Sequence, residues 1–333
     1  MFDYSPPHRS FMFTSLDETG YAQTIFLDTR MQLSPRMLEH VTFDAVDAAF
    51  PDRFSLPPAG YLFHTGHCGS TLISRALGVS REVLGIREPM TLRTLATTLR
   101  EVNKPLGWFD EAGWERLKTI LLLALERRFR PTQLPIIKCT STCNNLAEPI
   151  LNCHPERRAV FLHQSLETTL AGLFRSRRTP RDLVAQSRDR VQEWHDLTGN
   201  DDLHLATLDP EQVAVLSWLA SMQRFETAQR QFPDRVLRID FDEFLGSPDA
   251  GLQKLAAFFG LESKADKMKA AFPQIASAYS KDPSQRYSTA KRQLKLDQSR
   301  ENNAGLIRSC LDMAHREIEA RPEFAGLADY LGD

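Results

Sequence analysis

The sequence predicts an α/β protein built on a mainly parallel, helix-covered sheet of about five strands. Two observations carry that reading. Strand-length apolar runs recur at Tyr61-Leu62-Phe63, Val83-Leu84-Gly85-Ile86, Pro135-Ile136-Ile137-Lys138, Ala159-Val160-Phe161-Leu162 and Val236-Leu237-Arg238-Ile239. Stretches with apolar residues at helical spacing separate them, and strands that alternate with helices close into a parallel sheet with covered faces. Ligands of such sheets sit at the carboxyl ends of the strands.

Residues 1–55 are mixed and punctuated by proline, with weak alternation in Thr24-Ile25-Phe26-Leu27, and read as an N-terminal extension packed on a main domain of residues 56–333. Leu72, Ile73, Ala76 and Leu77 lie on one face of a helix that follows the first run. Two helices are expected within residues 91–130, the second from Trp114 to Phe129 with Leu117, Ile120, Leu121 and Ala124 on its apolar face. A helix through Leu166, Leu170 and Leu173 follows the fourth run. Residues 176–212 are polar and arginine-rich and read as a second helical excursion. Long helices are expected over Val213–Gln231, around Leu252, Leu255, Ala256, Phe258 and Phe259, and over Gly305–Ala320, the last preceded by a polar basic tail.

Composition bounds the function. The hydrophobic fraction is 42%, the charged fraction 25% and the net charge −2, ordinary values for a soluble globular protein. Such a balance offers no bulk attraction to nucleic acid or to an acidic membrane surface. Ile120–Leu125 is the longest aliphatic run, too short to span a bilayer, and the N-terminus has no signal-peptide pattern. Five cysteines, Cys68, Cys139, Cys143, Cys153 and Cys310, lack disulfide or zinc spacing, so a reduced cytoplasmic setting and no metal are expected.

The most informative segment is Gly60–Leu77. An apolar strand feeds a turn of Gly66, His67, Cys68, Gly69, Ser70 and Thr71, and a helix begins there. Unpaired N–H groups and the helix dipole then converge on an anion, glycines let the main chain approach it, and the Ser/Thr pair adds donors. The turn is not a Walker A motif, because His64 and Ser70 stand where its first glycine and its lysine belong.

Gly66-His67-Cys68-Gly69-Ser70-Thr71 resembles the 5′-phosphosulfate loop of the sulfotransferases, with His67 in place of the basic residue and Cys68 in place of the first small hydroxyl residue. Glu88-Pro89 is similar to a Glu-Pro pair of several carbohydrate and protein-tyrosine sulfotransferases, whose glutamate can serve as base. Ile136-Ile137-Lys138 resembles the strand carrying a sulfate-contacting lysine. Phe232 through Leu261 is similar to the family's back end, so the likeness spans about residues 58 to 262. It implies a P-loop, sulfotransferase-like fold, 3′-phosphoadenylyl sulfate as donor, no metal, and a small-molecule or glycan hydroxyl as acceptor. The chain departs from the pattern at the 3′-phosphate site, where the family's arginine and serine fall on Gln164 and Gly172. Compensation is expected from Arg175, Arg177 or Arg178, or from Lys281 and Arg286 in the tail, since a basic C-terminal loop reaches that phosphate in the family.

Under this reading Glu88, Lys138 and His67 are the catalytic candidates. Sulfuryl transfer needs a base for the acceptor hydroxyl and a cation near the bridging oxygen. Each has a plainer alternative: an ion pair of Glu88 with Arg87, a surface lysine at 138, a loop cap at His67. His163 is a second candidate base. Ile239-Asp240-Phe241-Asp242 resembles a Walker B strand, but a turn suits it better without a Walker lysine. Two other functions stay open: a nucleotide- or anion-binding protein of this fold without transfer activity, and an ATP-dependent phosphotransferase. Acceptor identity and oligomeric state are not written in the sequence.

Overall fold

The computed structural model describes residues 1–31, 33–49, 59–175, 181–199, 202–279, 282–286 and 288–332. At the N-terminus β1 (Asp3–Ser5), β2 (Ser10–Phe13) and β3 (Glu39–Thr42) form a small antiparallel sheet in that order. Helix α1 (Glu18–Gln23) is capped by Asp17, which accepts from Gly20 N, and α2 (Phe43–Ala49) follows β3. Tyr4, Phe11 and Phe43 pack together with centroids 4.7 to 6.1 Å apart and join the core cluster of the main sheet. Thr24–Leu27, the segment with weak alternation, lies outside any strand.

The main sheet holds β4 (Gly60–His64), β5 (Val83–Arg87), β6 (Leu134–Lys138), β7 (Arg158–His163) and β8 (Val236–Asp240), all parallel, in the order β5-β6-β4-β7-β8. These are the five apolar runs of the sequence. Successive side chains of a strand point to opposite faces, and the core divides accordingly. Tyr61, Phe63, Ile137 and Phe161 belong to one hydrophobic cluster; Leu62, Ile136, Val160 and Leu162 belong to the other. From β4 the chain crosses to the edge strand β5, returns to β6 beside β4, and then crosses to β7 and β8 on the other side, so the connections diverge beside the carboxyl end of β4. That is where this class of sheet binds ligands.

Helices cover both faces. Helix α3 (Ser70–Leu77) buries Leu72, Ile73, Ala76 and Leu77 on one face. On the other lie α4 (Met90–Leu99), α5 (Glu111–Leu125), α6 (Ala147–Cys153), α7 (Leu166–Phe174), α8 (Arg181–Ala185), α9 (Ser187–Thr198) and α10 (Pro210–Gln231). Helix α5 starts earlier than its apolar stripe suggests, because Asp110 caps Gly113 N. Beyond β8 come α11 (Phe241–Gly246), α12 (Pro248–Phe258) and α13 (Ala265–Ala276). A hairpin of β9 (Ala278–Tyr279) and β10 (Asp282–Arg286) follows. The polar tail is itself a helix, α14 (Thr289–Asn302), packed on α7 and followed by α15 (Ala304–Glu319). Ser288 caps α14 through Lys291 N, a local signal that its weak apolar pattern conceals. No helix among the described residues is long and apolar enough to cross a membrane.

Candidate functional site

Three of the four residues from Gly66 to Gly69 hold positive φ: Gly66 at 93°, His67 at 54° and Gly69 at 71°. The loop thereby turns sharply from β4 into α3. Gly69 is the N-cap of α3 and offers no side-chain cap, so the first N–H groups of the helix are left for an anion. A Cβ on Gly69 would stand 2.0 Å from two ring carbons of Phe241. The glycine is therefore required twice, for its backbone conformation and for the ring packed on it. Phe241 is held in turn by Asp240, which caps α11 by accepting from Asp242 N at 2.7 Å and Glu243 N at 3.0 Å. Asp240-Phe241-Asp242 is thus a helix-starting turn.

One cleft at the carboxyl ends of the strands joins most of the candidates. Its walls include His67, Gly69, Ser70, Thr71, Glu88, Lys138, Gln164, Gly172 and Arg175. Two members of the expected cradle do not line it. Gly66 donates its N–H to His64 Nδ1 at 3.0 Å, and the Cys68 thiol turns into the core to donate to Leu162 O at 3.3 Å. Burial holds that thiol neutral, its pKa pushed up to about 11. Because His64 Nδ1 is an acceptor, the ring proton sits on Nε2 and is donated to Cys139 O at 3.0 Å. His64 thereby pins the cradle to the strand beside it.

At one end of the cleft Lys138 Nζ donates to Glu88 Oε1. Lys138 is fully buried, not a surface lysine, and Glu88 is 9% exposed. Arg87, expected as a partner for Glu88, is engaged elsewhere. It donates to Thr24 O at 2.8 Å, at the end of α1. The second partner of Glu88 is Arg30, whose Nη2 lies 2.5 Å from Oε2. Burial by itself would raise the Glu88 pKa. The Lys138 ammonium, with the Arg30 guanidinium, outweighs burial and brings it down to about 2. Glu88 also holds a positive φ of 51°, a conformation costly for a side-chain-bearing residue and concentrated at functional sites.

The other end is basic and hydroxyl-lined. Gln164 donates to Asp242 Oδ1 at 3.3 Å, and Arg292 of α14 reaches the same carboxylate oxygen at 2.8 Å while lying over the Phe241 ring. Thr168, Thr169 and Arg292 line the cleft with Gly172 and Arg175. A Cβ on Gly172 would meet only Leu296, at 3.9 Å. Lys281, Arg177 and Arg178 lie outside the described residues, as does the side chain of Arg286. His163 is placed elsewhere, 3.6 Å from Asp240 and edge-on to Tyr330, and does not line the cleft. Burial and Arg238 lower its pKa to about 4.

The chain is similar in structure to sulfotransferases. The sulfotransferase domain of the curacin biosynthetic pathway overlays with a TM-score of 0.41 at 15% identity, covering 62% of this chain and 75% of that one. The sulfotransferase domain of the Synechococcus PCC 7002 olefin synthase gives 0.39 at 15% identity, over 76% and 97%. A sulfotransferase from Alicyclobacillus acidocaldarius gives 0.39 at 12% identity, over 67% and 94%. No protein-family model matches the chain, and no curated protein matches it in sequence.

Sequence reasoning missed Arg30, Asp28, His64, Thr168, Thr169, Phe241 and Arg292. Arg292 and Arg30 carry no local motif; they reach the site from segments distant in the sequence. Thr168 and Thr169 had a signal, since both fall in the first turns of the helix that follows β7.

Proposed function

We propose that the chain transfers a sulfuryl group from a 3′-phosphoadenylyl sulfate donor to a hydroxyl acceptor by in-line displacement. One observation carries the reading: a single cleft connects an uncapped helix N-terminus, a buried lysine–glutamate pair and a second basic end that holds Arg175 and Arg292. These are the parts that a donor with two phosphate groups and a transferable sulfate needs.

The N–H groups at the start of α3 and the Ser70 and Thr71 hydroxyls would hold the 5′-phosphate. Arg292 and Arg175, with the Thr168 and Thr169 hydroxyls, would hold the 3′-phosphate in place of the arginine and serine replaced by Gln164 and Gly172. The donor supplies a sulfuryl group already bonded to a good leaving phosphate. In the transfer the acceptor oxygen forms its bond to sulfur as the sulfur–phosphate oxygen bond breaks, and the acceptor proton passes to Glu88. Lys138 supplies positive charge, and His67 a hydrogen bond, where negative charge builds, by analogy with phosphoryl transfer. The acceptor is a small molecule or glycan rather than a nucleic acid, and we place the protein in the cytoplasm without a metal requirement.

Glu88, paired with two cations, is a weak base before the acceptor arrives. That favours a second reading, a nucleotide-binding protein of this fold without transfer activity. Thermal stabilisation by adenosine 3′,5′-bisphosphate that exceeds the stabilisation by 5′-AMP would support either reading. Sulfate transfer from radiolabelled donor to a panel of hydroxyl acceptors decides between them. Failure of the bisphosphate to stabilise the protein at millimolar concentration would refute both.

A further inference from the structure

The N-terminal segment reaches into the reaction centre. Leu27 N donates to Arg87 O at 2.8 Å, and Met90 N donates to Leu27 O at 2.9 Å, so the backbone of residue 27 is tied on both sides of Glu88. This anchorage carries Phe26, Asp28 and Arg30 over the Glu88 carboxylate. The Arg30 guanidinium carbon stands over the Phe26 ring, 3.4 Å from its centroid. Nε reaches Asp28 Oδ1 at 2.8 Å and Oδ2 at 3.0 Å, and Nη2 bridges Asp28 and Glu88 at 2.5 Å each. Asp28 is 3% exposed. The ring contact and a buried carboxylate thus fix the guanidinium before it meets Glu88, and a planar fork held in this way sets the orientation of what it binds.

We propose that Arg30 is a positioning residue for Glu88, so that the N-terminal segment completes the reaction centre by fixing the aim and charge of that carboxylate. The inference rests on the reading of Glu88 as the base. With one oxygen held by Lys138 and the other by Arg30, the carboxylate plane is defined. Only lone pairs outside those two bonds remain for the acceptor hydroxyl. The other groups facing Glu88 are His64, Asp28 and the buried thiols Cys139 and Cys143. Burial raises the pKa of both thiols, so at neutral pH neither competes for charge.

The test is a double-mutant cycle of Arg30→Met and Glu88→Gln, with Arg30→Lys as the conservative variant. Methionine keeps an apolar contact with Phe26, so the cycle isolates the charge and the hydrogen bonds. In the Glu88 background Arg30→Met should lower kcat by ~10- to 100-fold, the usual penalty for about 1 Å of misplacement, with little change in KM for the donor. In the Glu88→Gln background it should have almost no further effect. The acidic limb of kcat/KM should move to higher pH in Arg30→Met, because loss of a neighbouring cation lets Glu88 keep its proton longer. It should return toward wild type in Arg30→Lys. An equal loss of kcat in both backgrounds, or an acidic limb that does not move, overturns the proposal. If wild-type protein transfers no sulfate, the proposed function itself is refuted. The same cycle read by urea unfolding at pH 7 then decides the inference. Coupling of about threefold or more in the folding equilibrium supports the Arg30–Glu88 pairing, and none overturns it.

Discussion

Replacing Arg292 by glutamine should weaken binding of adenosine 3′,5′-bisphosphate and leave 5′-AMP almost untouched. The magnitude follows from the surroundings of the side chain. Arg292 is 11% exposed and stands 2.8 Å from Asp242, whose side chain is 40% exposed. A hydrogen bond between charged groups is worth ~1.5–3 kcal/mol, or about 10- to 150-fold in Kd at ~1.4 kcal/mol per tenfold. Asp242 opposes the anion: without ligand it balances Arg292, and once Arg292 is gone it faces the phosphate alone. The loss should therefore lie toward the upper end. The reverse change, Asp242→Asn, keeps the shape and removes the competing charge. It should tighten the bisphosphate by up to ~1 kcal/mol, since a half-exposed ion pair is worth no more than that. Titration calorimetry on wild type and both variants, at one fixed salt concentration, reads both signs. If the two substitutions shift affinity in the same direction, or mono- and bisphosphate bind wild type equally, Arg292 does not hold a 3′-phosphate. Gln164→Arg with Gly172→Ser extends the test, because the space beside Gly172 accepts the serine and both residues stand at this end of the cleft. The pair should tighten the bisphosphate and partly rescue Arg292→Gln.

Gly69→Ala should abolish 5′-AMP binding and lower stability. The left-handed backbone costs ~1–2 kcal/mol for a residue with a Cβ, and the Phe241 ring must also move; a melt and calorimetry check both, and unchanged binding would remove the loop from the site. At His64, asparagine can keep the acceptor for Gly66 N while glutamine cannot reach it in the same way, so His64→Asn should retain nucleotide binding better than His64→Gln; the opposite order would show that the Cys139 contact matters more. Two buried groups set the acid response of folding. His163 has its pKa lowered from 6.5 to about 4, so its contribution to stability is full above pH 6.5 and is lost as pH falls through about 4. Glu88 is also depressed, to about 2 from 4.5, so its contribution is present above pH 4.5 and is lost only as pH approaches 2. His163→Phe should flatten the stability profile measured by urea unfolding between pH 6.5 and 4, and Glu88→Gln should leave that window unchanged.

The sequence by itself determined the five strands of the main sheet, their parallel pairing, and the loop from Gly66 to Thr71 as the place where a helix N-terminus opens at a strand end. These are local properties: apolar periodicity, small residues at a turn, and alternation of strands with helices. The resemblance to the sulfotransferases pointed to Glu88, Lys138, Gln164 and Gly172, and each sits at or just beyond the carboxyl end of a strand or on the helix that follows, where a parallel sheet gathers its ligands. Tertiary structure alone decided what those residues do to one another. Burial of Lys138 against Glu88 and the arrival of Arg30 turned an expected basic carboxylate into a firmly ionised one, because electrostatics depends on distances between segments far apart in the chain. Gly66 and Cys68 match the loop motif, yet the N–H of one and the thiol of the other are spent on His64 and on the carbonyl of Leu162. Arg292, which shares the Asp242 carboxylate with Gln164, comes from a helix with almost no apolar signature. No periodicity points to it, since only the packing of α14 on α7 brings that guanidinium to the cleft.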